Sequence, residues 1–547
     1  MTRRQIWAVA AAAVAVALAA ASCGRSAGSG GSAAGNISPT QGLVTTTPAG
    51  TKPAGSIVWA VYRDVNSLDP IFAFDYPENT AVSLMCESLL RQAPDGAIGP
   101  GLASLSYRNP TTMVFTLRRG VKFWDGRPLT PADVVYSLDR AASTTTGSFY
   151  TAVFSRVRSI TATGPDQVTI QLKQPDYWLP GELSSMPGVI IEKSAAQQQG
   201  KNYGTPAGKI MCTGAYQFKS WQPGVGVTAE ANPRYWNPAV KPLVHQILIK
   251  GAPNIASFTS AMLTGGIQGS YTFALSTLDQ LKSSSAVKVY QGPGWSTDAF
   301  IVSNLKGPLG DVRVRQALSL ALNRQSVINS VYKGAALMPR WLSNPGTFGY
   351  GKTVFTKAYN ASPVLTQNLA KAKQFIREAH AAGRTITVGM SSELSNIAAV
   401  AGAYQAAGQA IGLNVKLKSV SAQDYINFFT DPKFRQGIDG FFTVNYGDYA
   451  DPAAMLATFV LPGGSQNYDN FNNPAITSEL EQARGTVNPD KRAALVAQAE
   501  KLTVNQLPWI PDAQPTSLLI LSKSLTGAVA SFAYMFAPWA DQLGGAG

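Results

Sequence analysis

The chain is 547 residues long, more than one hydrophobic core can organise, and its 45% hydrophobic and 14% charged residues describe a globular protein built from two or three bodies. Its formal charge of +14 comes from Lys and Arg scattered singly rather than in runs, which argues against a nucleic-acid partner. Only two histidines occur, His245 and His380, and neither has a neighbour at metal-ligand spacing, so no metal or cofactor is expected and a zinc hydrolase or Ser–His–Asp enzyme lacks its imidazole.

The N-terminus reads MTRRQIWAVAAAAVAVALAAASCGRS. Arg3 and Arg4 form a basic start, residues 6–21 an Ala-rich apolar stretch, and small residues lead up to Cys23. Residues 1–22 are therefore a secretory signal, too short and too Ala-rich for a membrane span. AASC resembles a bacterial lipobox, with Ala20 where that pattern prefers a larger aliphatic residue, and the resemblance implies a lipidated Cys23. TRRQIW also loosely resembles a twin-arginine signal, so the export route stays open. Residues 23–54 are rich in Gly, Ser, Thr, Ala and Pro and carry no apolar face. As a flexible tether they would span about 30 Å. Cys86 and Cys212 remain, either as one disulfide or as two buried thiols.

Strands and helices then mix without a short repeat, the pattern of an α/β protein. SIVWAVY (56–62) alternates as a strand, and NTAVSLMCESLLRQ (79–92) has helical spacing at Val82, Met85, Leu89 and Leu90. TMVFTLRRGVKFWDGRPLT (112–130) reads as a strand and hairpin turning at Asp125 and Gly126, after which Thr130, Pro131 and Asp133 start a helix. VHQILIK (244–250) alternates as a strand. Asp311 precedes a helical run over 312–332, and Asn488 and Pro489 precede another over 490–502.

The most chemically suggestive stretch is NYGDYADP (445–452), which follows the apolar run GFFTV (440–444) and holds Asp448 and Asp451 among tyrosines. Paired carboxylates can act as acid and base, bind a metal, or clamp a cation. A glycosidase needs its two carboxyls facing each other at about 5–9.5 Å. Two acids three apart in a turn before Pro452 do not converge so, and Asp451 reads as a turn residue. For Asp448 the residues alone leave two readings open, a solvated turn carboxylate and a clamp for a cation.

In order along the chain stand NSLDP (66–70), LRRGVKFWDGRPLTPADVVYSLDRA (117–141), CTGAYQFKSW (212–221), EANPRYW (230–236), DVRVRQALSLALNR (311–324), GDYADP (447–452) and LPWIP (507–511). This succession resembles the family 5 extracellular solute-binding proteins, the dipeptide- and oligopeptide-binding components of ABC importers. The resemblance implies a two-lobed, periplasmic-binding-protein-like clam-shell (type II, cluster C) with an extra subdomain in lobe one. Lobe one would hold residues 55–300 plus 515–547 and lobe two residues 301–514, with crossovers near 298–304 and 508–520. It also implies a monomeric receptor, not an enzyme. That receptor would be lipid-anchored at the outer face of the cytoplasmic membrane and pass short peptides to a permease and ATPase complex.

Residue by residue, Asp448 matches the aspartate of a D-Y-x-[DE]-P motif that pairs with the peptide's α-amino group. Val444, Asn445 and Tyr446 match the strand that pairs with the peptide main chain, and Gly447 and Tyr449 flank the clamp. Asn445 departs from the tryptophan common in peptide binders, which keeps haem, a metal chelate or an oligosaccharide open as the solute, and an envelope scaffold or sensor as the role. Tyr76, Glu78 and Asn79 are expected at the cleft, Trp295 either stacked on a solute or plugging the hinge, and Arg340 on a peptide carboxylate.

Overall fold

Apolar, β-branched runs supply the centre of two sheets. The computed structural model describes residues 42–547 except Thr272, Phe273 and Glu393, so the signal segment and Cys23 lie outside the described residues. In the first sheet, β1 (Ala54–Val61) is central among seven strands. Their order is Val287–Gly292, Ser517–Ser522, Gly269–Ser270, β1, Val244–Gly251, Gly226–Ala231 and Tyr216–Gln222. Its core includes Trp59, packed between the rings of Tyr271 and Trp539 at 5.0 and 4.2 Å. Each such fully buried side chain contributes about 1.5–3 kcal/mol. α1 (Tyr76–Met85) covers this core, started by Asp75, whose carboxylate accepts from Tyr76 N–H, and by Pro77 in its first turn.

A four-stranded sheet, Ala103–Asn109, Thr112–Leu117, Gln167–Leu172 and Val157–Gly164, forms the extra subdomain with the helix Pro131–Ala142. The Asp133 carboxylate accepts from both the N–H and the hydroxyl of Thr130, the cap that the sequence spacing requires.

The second main sheet has six strands in the order Ala336–Leu337, β4 (Trp509–Pro515), β2 (Ser296–Val302), β3 (Gly440–Tyr446), Thr385–Met390 and Asn414–Ser419. Apolar clusters lie on both of its faces, one around Phe300 and Tyr404 and one around Ile301 and Phe441. The chain leaves the first sheet at Gly292, enters the second at Ser296, and returns between Pro515 and Ser517. The expected lobe boundary at 300/301 therefore falls inside β2. The two crossings touch: a Cβ on Gly294 would lie 2.1 Å from Pro515 O, so only glycine permits this approach.

Three other expectations change. Residues 42–53, read as tether, lie on the body. Val44 N–H donates to Gln291 O at 2.9 Å, Thr47 N–H to Ala528 O at 3.0 Å and Gly50 N–H to Gln542 O at 2.9 Å. Such pairing uses the main chain alone, so an apolar pattern cannot reveal it. The helix expected over 79–92 stops at Met85; Cys86 is extended, with its sulfur 2.01 Å from that of Cys212, and Leu90–Gln92 pairs with Ile98–Pro100 instead. The run over 312–332 is two helices, Val312–Ala321 and Arg324–Ser330, because Asn323 accepts from Ser326 N–H and starts the second.

Candidate ligand-binding cleft

β3 is paired along its whole length with β2, from Ser296 opposite Tyr446 to Val302 opposite Gly440. On its other side, among the described residues, it meets a strand only at Gly440, beside Val388. Beyond Gly440 this edge is open. Tyr425 closes the first part of it: its hydroxyl donates to Phe442 O at 2.7 Å and accepts from Phe442 N–H at 2.9 Å. The polar groups of Phe442 thus point away from β2, and by the two-residue period those of Val444 and Tyr446 do too. Asn445 Oδ1 takes the Tyr446 N–H at 2.9 Å. The N–H and C=O of Val444, a residue 36% exposed, are left facing the cleft.

A cavity of about 250 Å³ opens beside that edge. Val444 and Asp298 line it from the second sheet, Tyr62, Asp75 and Tyr76 from the first lobe. Asp75 is held there by Arg63, whose guanidinium also grips Glu78, each contact at 2.7 Å.

Asp448 stands just past the end of β3. Its main-chain oxygen accepts from Gln92 Nε2 at 2.8 Å, a contact between the lobes. Its partly buried carboxylate has no hydrogen bond or ion pair among the described residues, and burial pushes it up to about 6. Glu182 lies near enough for the two to repel, and burial together with Asp448 holds Glu182 well above the usual carboxylate range. A partly desolvated carboxylate with no cation of its own suits an incoming ammonium. Asp451 is different. It starts α2 (Pro452–Val460) by accepting from Ala453 N–H at 2.9 Å, and it takes the Tyr350 hydroxyl at 3.1 Å.

The other residues singled out in the sequence divide as follows. Tyr76 lines the cavity and Tyr446 lies beside it, ring centroids 5.3 Å apart, and the Tyr446 hydroxyl donates to Phe74 O at 2.7 Å. Gly447 is buried against Tyr449 O and Ala454. Tyr449 is packing, its ring lying where a Cβ on Gly181 would come within 2.3 Å. Asn445 is buried on the opposite face of the sheet from Val444 and is not among the residues that line the cavity.

Four expected ligand contacts are structural. Trp295 is 1% exposed and packs on Phe532 and Phe536, a hinge plug rather than a stacking platform. Glu78 is committed to Arg63 and the Asn66 N–H. Asn79 is fully buried within α1. The Arg340 guanidinium is used by the carbonyls of Ser362 and Asn360 and covers the Tyr359 ring. Sequence reasoning missed Asp298, although a lone acid inside the otherwise apolar DAFIV is a signal, because burying such a charge is costly.

Two sheets facing one another across a cavity, joined by two short crossings and offering an open strand edge inside, define a two-lobed solute-binding protein. Residues 97–467 match the model of the bacterial extracellular solute-binding proteins, family 5, and the chain belongs to that family. The periplasmic oligopeptide-binding protein OppA of Escherichia coli K12 is 27% identical over 504 residues, covering 86% of this chain and 88% of that protein. The periplasmic murein peptide-binding protein MppA of the same organism is 28% identical over 510 residues, covering 88% and 92%. The fold is shared with the ABC transporter-associated DppA of Helicobacter pylori, solved in complex with the peptide STSA, at a TM-score of 0.76 and 21% identity, covering 90% of this chain and 98% of that one.

Proposed function

We propose that the protein captures short peptides in the interlobe cleft and delivers them to an ABC importer. The observation that carries this reading is the open edge of β3 with an unpaired carboxylate just past its end. Val444 offers a peptide main chain one N–H and one C=O, which gives affinity without reading side chains. Asp448 takes the free α-amino group. A peptide with a blocked amine would leave that carboxylate desolvated and unpaired, a larger loss than the bond itself contributes. The names of the relatives, an oligopeptide binder and a murein peptide binder, support the same solute class. We place the mature chain outside the cytoplasmic membrane as a monomer held by a lipid on Cys23, and assign no residue a catalytic role. Native mass spectrometry of protein purified from its host without denaturation tests the reading. Short peptides should co-purify; haem, a metal chelate or a sugar in their place would contradict it.

A further inference from the structure

The strongest unexplained feature of the cleft is the carboxylate of Asp298. β2 is buried along its whole length, and Asp298 is 9% exposed within it. No hydrogen bond or ion pair among the described residues involves its side chain. The register between β2 and β4 shifts here: Asp298 lies opposite Ala513 and Ala299 opposite Pro511, so Asp512 is an extra residue. Such bulges re-aim neighbouring side chains. Asp298 lines the cavity that Val444 lines, and the two are direct cross-strand partners. Because the polar groups of Phe442 face away from β2, so do those of Val444. The Asp298–Val444 pair is therefore of the close, non-hydrogen-bonded kind, with both side chains on one face.

The groups around Asp298 do not neutralise it. Arg63 is held by Asp75 and Glu78. Arg324 donates to Pro511 O and to Ser319. Asp512, which accepts from the Tyr404 hydroxyl, adds a second acid. Burial and Asp512 hold the Asp298 carboxyl well above the usual range. The Tyr332 hydroxyl, in a residue 2% exposed that lines the same cavity, also has no partner among the described residues. Tyr62, Tyr76, Tyr271 and Tyr534 also line it, together with Asn396 and the ion-paired Asp75. This is a chamber rich in tyrosine, with an acid that has no cation among the described residues.

We infer that this cavity is a subsite for a basic side chain, and that Asp298 selects peptides carrying an ammonium or guanidinium group there. The inference rests on the peptide reading and names a preferred class within it. A ligand strand on the open edge beside Val444 projects alternate side chains onto the face that Val444 and Asp298 share. The methylenes of a lysine or arginine would lie along the tyrosines while the charged head meets the carboxylate. An apolar side chain in its place would seal the carboxylate in, unpaired.

Titration calorimetry of the full folded protein tests this. The probes are tetra-alanine and its variants with one lysine or one norleucine, which keeps the four side-chain carbons and lacks the ammonium, at each position, each with a free or an acetylated amine. At one position, lysine should bind about tenfold tighter than norleucine, a difference of about 1.4 kcal/mol. Asp298→Asn should bring that ratio to within about twofold, and Asp298→Leu should turn it toward norleucine. The preference should persist among acetylated peptides, which separates Asp298 from the amine clamp. Equal binding of lysine and norleucine at every position, with tetra-alanine still bound, would overturn the subsite alone. So would a lysine preference that survives both substitutions, or an Asp298→Asn protein that loses discrimination against acetylation instead. If no peptide binds, the peptide reading falls and the subsite with it.

Discussion

The two ends of β3 differ in how their polar groups are satisfied. At the Gly440–Phe442 end every edge group has a partner, first Val388 across the sheet and then the Tyr425 hydroxyl. At the Val444–Asp448 end the Tyr446 N–H and the Asp448 main-chain oxygen are taken by Asn445 and Gln92, while the N–H and C=O of Val444 and the Asp448 carboxylate face the cleft with no partner among the described residues. NYGDYADP repeats the contrast in four residues, with Asp451 satisfied as a helix cap and Asp448 unsatisfied. A saturated polar group reads as structure. One left open beside a cavity reads as a place for a ligand, because burying it unpaired is otherwise a net cost.

Substitutions break this contrast in graded ways. Trp295→Ala, in the saturated hinge, should lower stability by about 3–5 kcal/mol. Thermal unfolding will show it as a large drop in Tm, while the folded fraction keeps its preference for free over acetylated peptides. The open end should respond to pH instead. Asp448 must be ionised to hold an ammonium, and its carboxyl stands near 6. Glu182, also held high, titrates in the same direction. Affinity for tetra-alanine should therefore be full above this value and fall by up to about tenfold per pH unit below it, with a proton taken up by the free protein and released on binding. Calorimetry in buffers of different ionisation enthalpy measures that proton, and Asp448→Asn should flatten the profile.

Smaller effects sharpen the boundary. Asp451→Ala removes the cap of α2 and should cost about 1 kcal/mol of stability, read by chemical denaturation, with discrimination against acetylation retained. Tyr425→Phe uncovers the polar groups of Phe442 and should cost about 0.5–1.5 kcal/mol. It also extends the open edge by one pair, so longer peptides should lose less affinity than short ones in the same calorimetric series.

Local chemistry was legible in the sequence, and juxtaposition was not. Thr130, Asp311 and Asn488 start helices through contacts a few residues away, so their spacing is enough to place them. The ordered motifs likewise marked the two-lobed fold and the strand that stops just before Asp448. The role of Asp298 depends on a shift in pairing with residues near 512 and on lying opposite Val444, neither of which is written near position 298. Burial has the same non-local origin. Trp295, Glu78, Asn79 and Arg340 have residue types that suit a ligand, but they are enclosed or engaged by distant parts of the chain. The main-chain pairing that binds residues 42–53 to the C-terminal segment leaves no trace in composition at all.

The central claim is that Asp448 holds the peptide's free amine at the end of the open edge. Its most direct test is a calorimetric cycle pairing free and N-acetylated tetra-alanine with wild type and Asp448→Ala. Acetylation and Asp448→Ala should each weaken binding by more than about tenfold, and acetylation should cost little further once the carboxylate is gone. Equal affinities of wild type for the free and acetylated peptides, or an undiminished penalty for acetylation in Asp448→Ala, would contradict it.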